Sequence, residues 1–247
     1  MPAVHDPRIP ALRPVAPLDR LGAAMECLLC SGLPSQLLLM LVLNGLGMRM
    51  HLADGRLSPP FVFTLSLLDA AVVIGLVVLM LRAHHESVRT VLFGERHYLR
   101  EAFIGVALLP AVFMAVALVL VAILKWAPRL HNVARNPLED MLTTRGDALI
   151  FAAVVMIAGG VREEVQRGFI LHRFGRYLGG AGWGVVIYSV LFGMGHFEQG
   201  YDAMIATGML GSLWGLLFLA RRSIVAPMVS HAGFNLAQLL KFLVIVR

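Results

Sequence analysis

Two apolar runs dominate the sequence: residues 61–81, in which Asp69 is the one charged residue, and residues 102–124, which carry no charge at all. A helix needs roughly 20 such residues to cross the hydrocarbon core of a bilayer, and each run supplies them. Composition extends the point to the whole chain. Of its 247 residues 58% are apolar and 15% charged, with a mean hydropathy of +0.78, whereas soluble domains average about 45–50% apolar and 25% charged. A disordered chain, a disulfide-stapled secreted module and a large extramembrane domain are all excluded. The expected fold is all-α: a polytopic membrane helix bundle of about seven transmembrane helices, preceded by an N-terminal interfacial helix.

Punctuation divides the remainder. The stretch 21–48 is broken by Gly32 and Pro34, which predicts an interfacial helix running into a first span from about Pro34. Pro59-Pro60 opens the second span, and the polar segment 82–101 separates it from the third. The longest loop follows, with Pro128, Asn136-Pro137, Glu139, Asp140 and Arg145. A fourth span begins near Ala148 and runs through Gly159-Gly160 into Arg162, Glu163, Glu164 and Arg167 with no strong turn signal, so these charges are expected on the helix itself; Gly179, Gly180 and Gly182 end it. Residues 183–196, 203–220 and 224–246 complete the set. Gly180/Gly184 and Gly211/Gly215 repeat at a spacing that allows close helix approach. Residues 1–20, with five prolines and no apolar signal core, read as a flexible, uncleaved head, and residues 21–247 as a single membrane domain.

The chain has 21 Lys+Arg against 15 Asp+Glu. Pairs such as Arg96 and Arg100, or Arg221 and Arg222, sit at the ends of apolar runs, which points to lipid headgroups and not to nucleic acid. Their distribution favours a cytoplasmic N-terminus in the cell membrane. Cys27 and Cys30 form a lone C-x-x-C without the further ligands that zinc needs, and read as small apolar filler.

Charges inside a span are costly, roughly 2.5–3.5 kcal/mol each near the centre, so the Arg162–Arg167 cluster needs compensation. Arg167 lies i+4 from Glu163 and i+3 from Glu164 and can pair with either. Two more polar sets follow: His196, four residues after Phe192 on one helix face, and His231 with Asn235 at i,i+4 on the last span. Together they form the inventory of a buried hydrolytic site. A carboxylate beside a neutral imidazole can deprotonate water, and His231 with the Asn235 amide could supply two donors to an oxyanion. The same groups allow a metal: His196, His231 and Glu163 would form a His₂Glu set for a divalent ion such as zinc, with a fourth position open for water. Spacing does not separate these uses. Two non-hydrolytic uses also stay open, a non-catalytic scaffold or immunity protein that binds a partner helix, and a small ion- or proton-coupled transporter.

Other residues are read more plainly. Asp69 has no identifiable partner and suits either a proton relay or a structural role. Glu198 and Asp202 flank the loop after His196 and could gate it. His84, His85, His97 and His131 fall in polar loops and are expected to be solvated, and Trp126, Tyr177, Trp183 and Tyr188 suit interfacial anchoring.

The Glu-Glu…Arg helix, the Phe-x-x-x-His motif and the His-x-x-x-Asn motif, in that order on successive hydrophobic segments, closely resemble the CPBP family of intramembrane proteases, which includes CAAX proteases and bacteriocin-processing enzymes. The resemblance covers residues 148–240. It implies a multi-helix intramembrane endopeptidase, with its site in a cavity reached from the membrane interface, acting on membrane-associated or lipidated peptides; membrane lipid is the other partner and nucleic acid is not one. By the same resemblance Phe192 is the motif aromatic at the substrate side, the first Glu and His196 activate water, His231 and Asn235 stabilise the oxyanion, and Arg167 orients the carboxylates. One departure stands out. The family usually writes Glu-Glu-x-x-x-Arg, and here Glu163-Glu164-Val165-Gln166-Arg167 is one residue shorter. Alignment on the carboxylates makes Glu163 the base and Glu164 the partner of Arg167, whereas alignment on Arg167 would put Arg162, which cannot deprotonate water, in the base position.

Overall fold

Proline starts many of the helices in this chain. It occupies the first or second position of five, where the missing N–H would have been unsatisfied in any case. The structure, a computed structural model, describes residues 15–245, with side chains as far as residue 239. Among the described residues eleven α-helices follow one another: α1 (Pro17–Leu29), α2 (Leu33–Gly45), α3 (Pro59–Ala83), α4 (Tyr98–Ala107), α5 (Leu109–Trp126), the single turn α6 (Pro137–Asp140), α7 (Arg145–Val155), α8 (Glu163–Tyr177), α9 (Ala181–Met194), α10 (Tyr201–Arg221) and α11 (Val225–Ile245). No strand occurs among the described residues; His51 and Leu57 form an isolated bridge. Of the expected flexible head, residues 1–14 lie outside the described residues, and residues 17–20 belong to α1.

The predicted break at Gly32 and Pro34 is a 40° bend between α1 and α2, with Gly32 at φ +81°. The run 102–124 is two helices, because Pro110 lies at the start of α5 and α4 ends at Ala107. The fourth predicted span is continuous from Arg145 to Tyr177 and carries its charges on the helix, as expected, but its middle, Met156–Arg162, is π-helical. A capping box starts it: the Thr144 side chain accepts from the Asp147 N–H, and the Asp147 carboxylate accepts from the Thr144 N–H.

Three helical stretches are long and apolar enough to cross a membrane, namely Pro59–Ala83, Arg89–Trp126 and Tyr201–Arg221, and the bent pair α1–α2 makes a fourth if it is one broken span. The chain is an integral membrane protein. The full set of expected helices is present, yet length and composition support three or four spans where the sequence reading counted about seven. Helix α9, with 14 residues, reaches only ~21 Å, and the 145–177 stretch is charged. Leu41, Leu118, Val121 and Val190 are exposed large apolar residues, and Trp126 and Trp183 are exposed as well.

Helix α8 lies at the centre, with both apolar and ionic residues buried along it. Small residues let its neighbours come close: a Cβ on Gly160 would stand 2.6 Å from the Ala232 Cβ, and one on Gly193 would reach the Met204 carbonyl at 2.6 Å. These approaches bring α11 against the π-helical segment and α9 against α10. Of the four spaced glycines, Gly184, Gly211 and Gly215 meet neighbouring side chains, whereas Gly180 is a turn residue with open space around it.

Candidate active site

The close contact of Gly160 with Ala232 places His231, one residue earlier on α11, opposite the start of α8. There the carboxylates divide into an inner and an outer one. Glu164 is fully buried (0% exposed), paired with the equally buried Arg167 and 2.8 Å from His231 Nδ1. A carboxylate held by a guanidinium accepts, so His231 Nδ1 carries the hydrogen, and in the neutral ring Nε2 presents its lone pair. That nitrogen lies 3.7 Å from Glu163 Oε2. Glu163, whose side chain keeps 18% of its exposure, has no side-chain hydrogen bond among the described residues; Arg162 Nη1 is 4.0 Å from its Oε1.

Aromatic rings line the inner layer. The Arg167 guanidinium sits 5.2, 5.1 and 5.6 Å from the ring centres of Tyr188, Phe192 and Trp214, where cation–π attraction offsets lost hydration. Trp214 also stacks on the His231 ring at 3.8 Å and donates Nε1–H to Ser230 Oγ. Phe192 joins the two histidines, with His196 edge-on at 5.0 Å and His231 at 6.1 Å. His196 Nδ1 donates to the Phe192 carbonyl at 2.8 Å, which leaves Nε2 as its basic nitrogen too. His196 lines a cavity of 260 Å³ with Gln36, Phe61, Leu65, Glu198 and Gln199. The Asn235 amide lies against Gly159, where any Cβ would come 2.5 Å from its nitrogen.

Residues of the three motifs lie close together. Glu163, Glu164, Arg167, Phe192, His196 and His231 are linked by the contacts above, and Asn235 faces the π-helical segment that leads into Glu163. Arg167 takes Glu164, the pairing that alignment on the carboxylates required. The histidine beside both carboxylates is His231, whereas the resemblance had paired the first Glu with His196.

Several expectations need correction. Asp69 has a partner: Arg162 Nη2 donates to it at 2.5 Å. His84 and His131 are exposed, as expected, but each also has an acid partner, Glu26 at 2.5 Å and Asp202 at 2.6 Å. Asp202 is thereby tied to the 127–147 loop, and Glu198 is the exposed acid at the cavity. Tyr188 is buried under Arg167 with its hydroxyl 3.2 Å from Gln166 Oε1, and is no interfacial anchor. Trp214 went unnoticed in the sequence, where an aromatic between Gly211 and Gly215 looks like packing. The expected His196–His231–Glu163 metal set is not assembled: no three His, Cys, Asp or Glu side chains among the described residues are placed to hold a metal. His231 and His196 each commit Nδ1 within the protein, and their rings meet Phe192 edge-on, His231 from α11 and His196 from the turn after α9.

Residues 145–237 match the family model described as type II CAAX prenyl endopeptidase Rce1-like, in keeping with the CPBP resemblance. The match starts at the capped end of α7 and ends just after Asn235. No curated protein and no solved structure matches the chain.

Proposed function

We propose, from the premise that residues 145–237 form an Rce1-like domain, that this chain is an intramembrane endopeptidase acting on membrane-associated or lipidated peptides, with Glu163 as its base. The observation that carries the reading is the division of labour between adjacent carboxylates. Glu164 is consumed by Arg167 and His231, while Glu163 keeps its oxygens free of hydrogen bonds and faces His231 Nε2.

In this reading a water held by Glu163 and His196 Nε2 gives its proton to Glu163 as its oxygen attacks the scissile carbonyl carbon. The carbonyl oxygen becomes an oxyanion, and the Asn235 amide donates to it. Glu163 passes the proton to His231 Nε2, and the resulting imidazolium, backed by Glu164, donates to the same oxyanion. When the intermediate collapses, the C–N bond breaks and that proton goes to the leaving nitrogen. Arg167 takes no proton; it holds Glu164 in place. Phe192 is the substrate-side aromatic between the two histidines.

Peptide cleavage by the purified protein in proteoliposomes tests this. Glu163→Ala, His196→Ala and His231→Ala are each expected to lower kcat by about 10²–10⁴ while membrane insertion stays at the parental level. Parental turnover in these variants would overturn the reading.

A further inference from the structure

Asp69 lies midway along α3 and is 2% exposed, although a carboxylate at that depth is costly unless it is paired. Three side chains address it: Ser35 Oγ donates to Oδ1 at 2.5 Å, Gln36 Nε2 to Oδ2 at 3.4 Å and Arg162 Nη2 to Oδ2 at 2.5 Å. Gly32 lies directly under the guanidinium. Any Cβ there would collide with Arg162, and its φ of +81° is itself a glycine conformation. The turn between α1 and α2 is thus shaped to let Arg162 reach Asp69.

The other face of that guanidinium looks at the base. Arg162 immediately precedes Glu163, and its Nη1 stops 4.0 Å from Glu163 Oε1. Closing that gap by about an ångström would make a direct charge-assisted hydrogen bond and tie up Glu163 as Arg167 ties up Glu164. One cation therefore stands between two carboxylates, bonded to one and short of the other.

We propose that Asp69, held by Ser35, sequesters Arg162 and so keeps the Glu163 carboxylate open to act on substrate. Asp69 is a positioning residue that works through Arg162, and it lies on α3, outside the family-matched segment. The proposal rests on the reading of Glu163 as the base.

The test uses the full chain in proteoliposomes with two readouts. One is peptide cleavage, split into kcat and KM. The other is adduct formation at Glu163 by dicyclohexylcarbodiimide, measured by mass spectrometry; an ion pair with a guanidinium blocks this reaction, and it needs no turnover. Asp69→Asn is expected to lower kcat ~100-fold with KM within about twofold, and to lower Glu163 labelling several-fold. Adding Arg162→Gln is expected to restore labelling. A folded Asp69→Asn variant whose Glu163 labels like the parent overturns the proposal. If Asp69→Asn does not fold, Ser35→Ala decides, because it loosens Asp69 without unpairing Arg162: a smaller fall in labelling that vanishes with Arg162→Gln supports the proposal, and unchanged labelling overturns it. A parent that cleaves no peptide counts against the peptidase reading alone, and the labelling still decides what Asp69 does.

Discussion

Arg167 and Arg173 stand six residues apart on α8, both fully buried, and they are satisfied in opposite ways. Arg173 donates Nε to Glu26 and Nη1 to Glu86, each at 2.5 Å. Glu86 also takes His172 at 3.0 Å and Arg176, and Glu26 takes His84 at 2.5 Å. This cluster gathers α1, the segment after α3 and α8 into one clamp. Arg167 has one ionic partner, Glu164; its Nε and Nη2 and the second Glu164 oxygen lack hydrogen-bond partners, whereas at Arg173 Nη2 alone does, and three aromatic rings surround Arg167. A cluster that only holds helices together can satisfy most of its hydrogen bonds through several ionic partners, as Arg173 does with Glu26 and Glu86. One that must act on a reacting group leaves buried polar atoms open, and such atoms call for an explanation beyond stability.

The contrast can be broken first at Glu164. Glu164→Ala leaves Arg167 charged, buried and without an ionic partner, which is expected to cost about 3–5 kcal/mol and to show as a large drop in Tm or as failure to fold. Glu86→Gln at the clamp is expected to cost less, about 1.5–3 kcal/mol, because Arg173 keeps Glu26. Peptidase activity per folded molecule should survive Glu86→Gln and be lost in Glu164→Ala. If Glu86→Gln turned out to be the more damaging to stability, or equally damaging to activity, the two clusters would not differ in kind.

These two clusters were unequally legible in the sequence. The Glu164–Arg167 pair follows from i,i+3 spacing on one helix, and the continuity of 145–177 from the lack of a turn signal. The clamp joins Glu26, Glu86 and Arg173 across long sequence separations that no local pattern encodes, and His84 looked solvated for the same reason. Asp69 seemed alone because its partner lies 93 positions away. The π-helical segment was hidden as well, since Ala158-Gly159-Gly160 carries no apolar periodicity to distinguish one helical pitch from another. It lies directly before Glu163, and its Gly159 and Gly160 are where Asn235 and Ala232 of α11 come close. Motif residues, helices and the i,i+3 pair were readable because they are local; the distant partners of Asp69, His84 and Arg173 were not.

The smallest expected effect sharpens the comparison through pH. Glu86 lies in the segment after α3, outside the spans. Burial pushes its carboxyl up, but hydrogen bonds and charge from His172 and Arg173 prevail and hold it below the usual carboxylate range. A carboxyl that is more acidic folded than unfolded adds stability above its unfolded pKa of about 4.3 and loses it as pH falls through the lower folded value. The Tm gap between the parent and Glu86→Gln, measured in detergent, should therefore be constant from neutral pH to about pH 5 and shrink below that. A gap that stayed constant through the acid range would mean that Glu86 holds Arg173 by shape and not by charge, and the clamp would lose the multiple ionic pairing that sets it apart from the Arg167 layer.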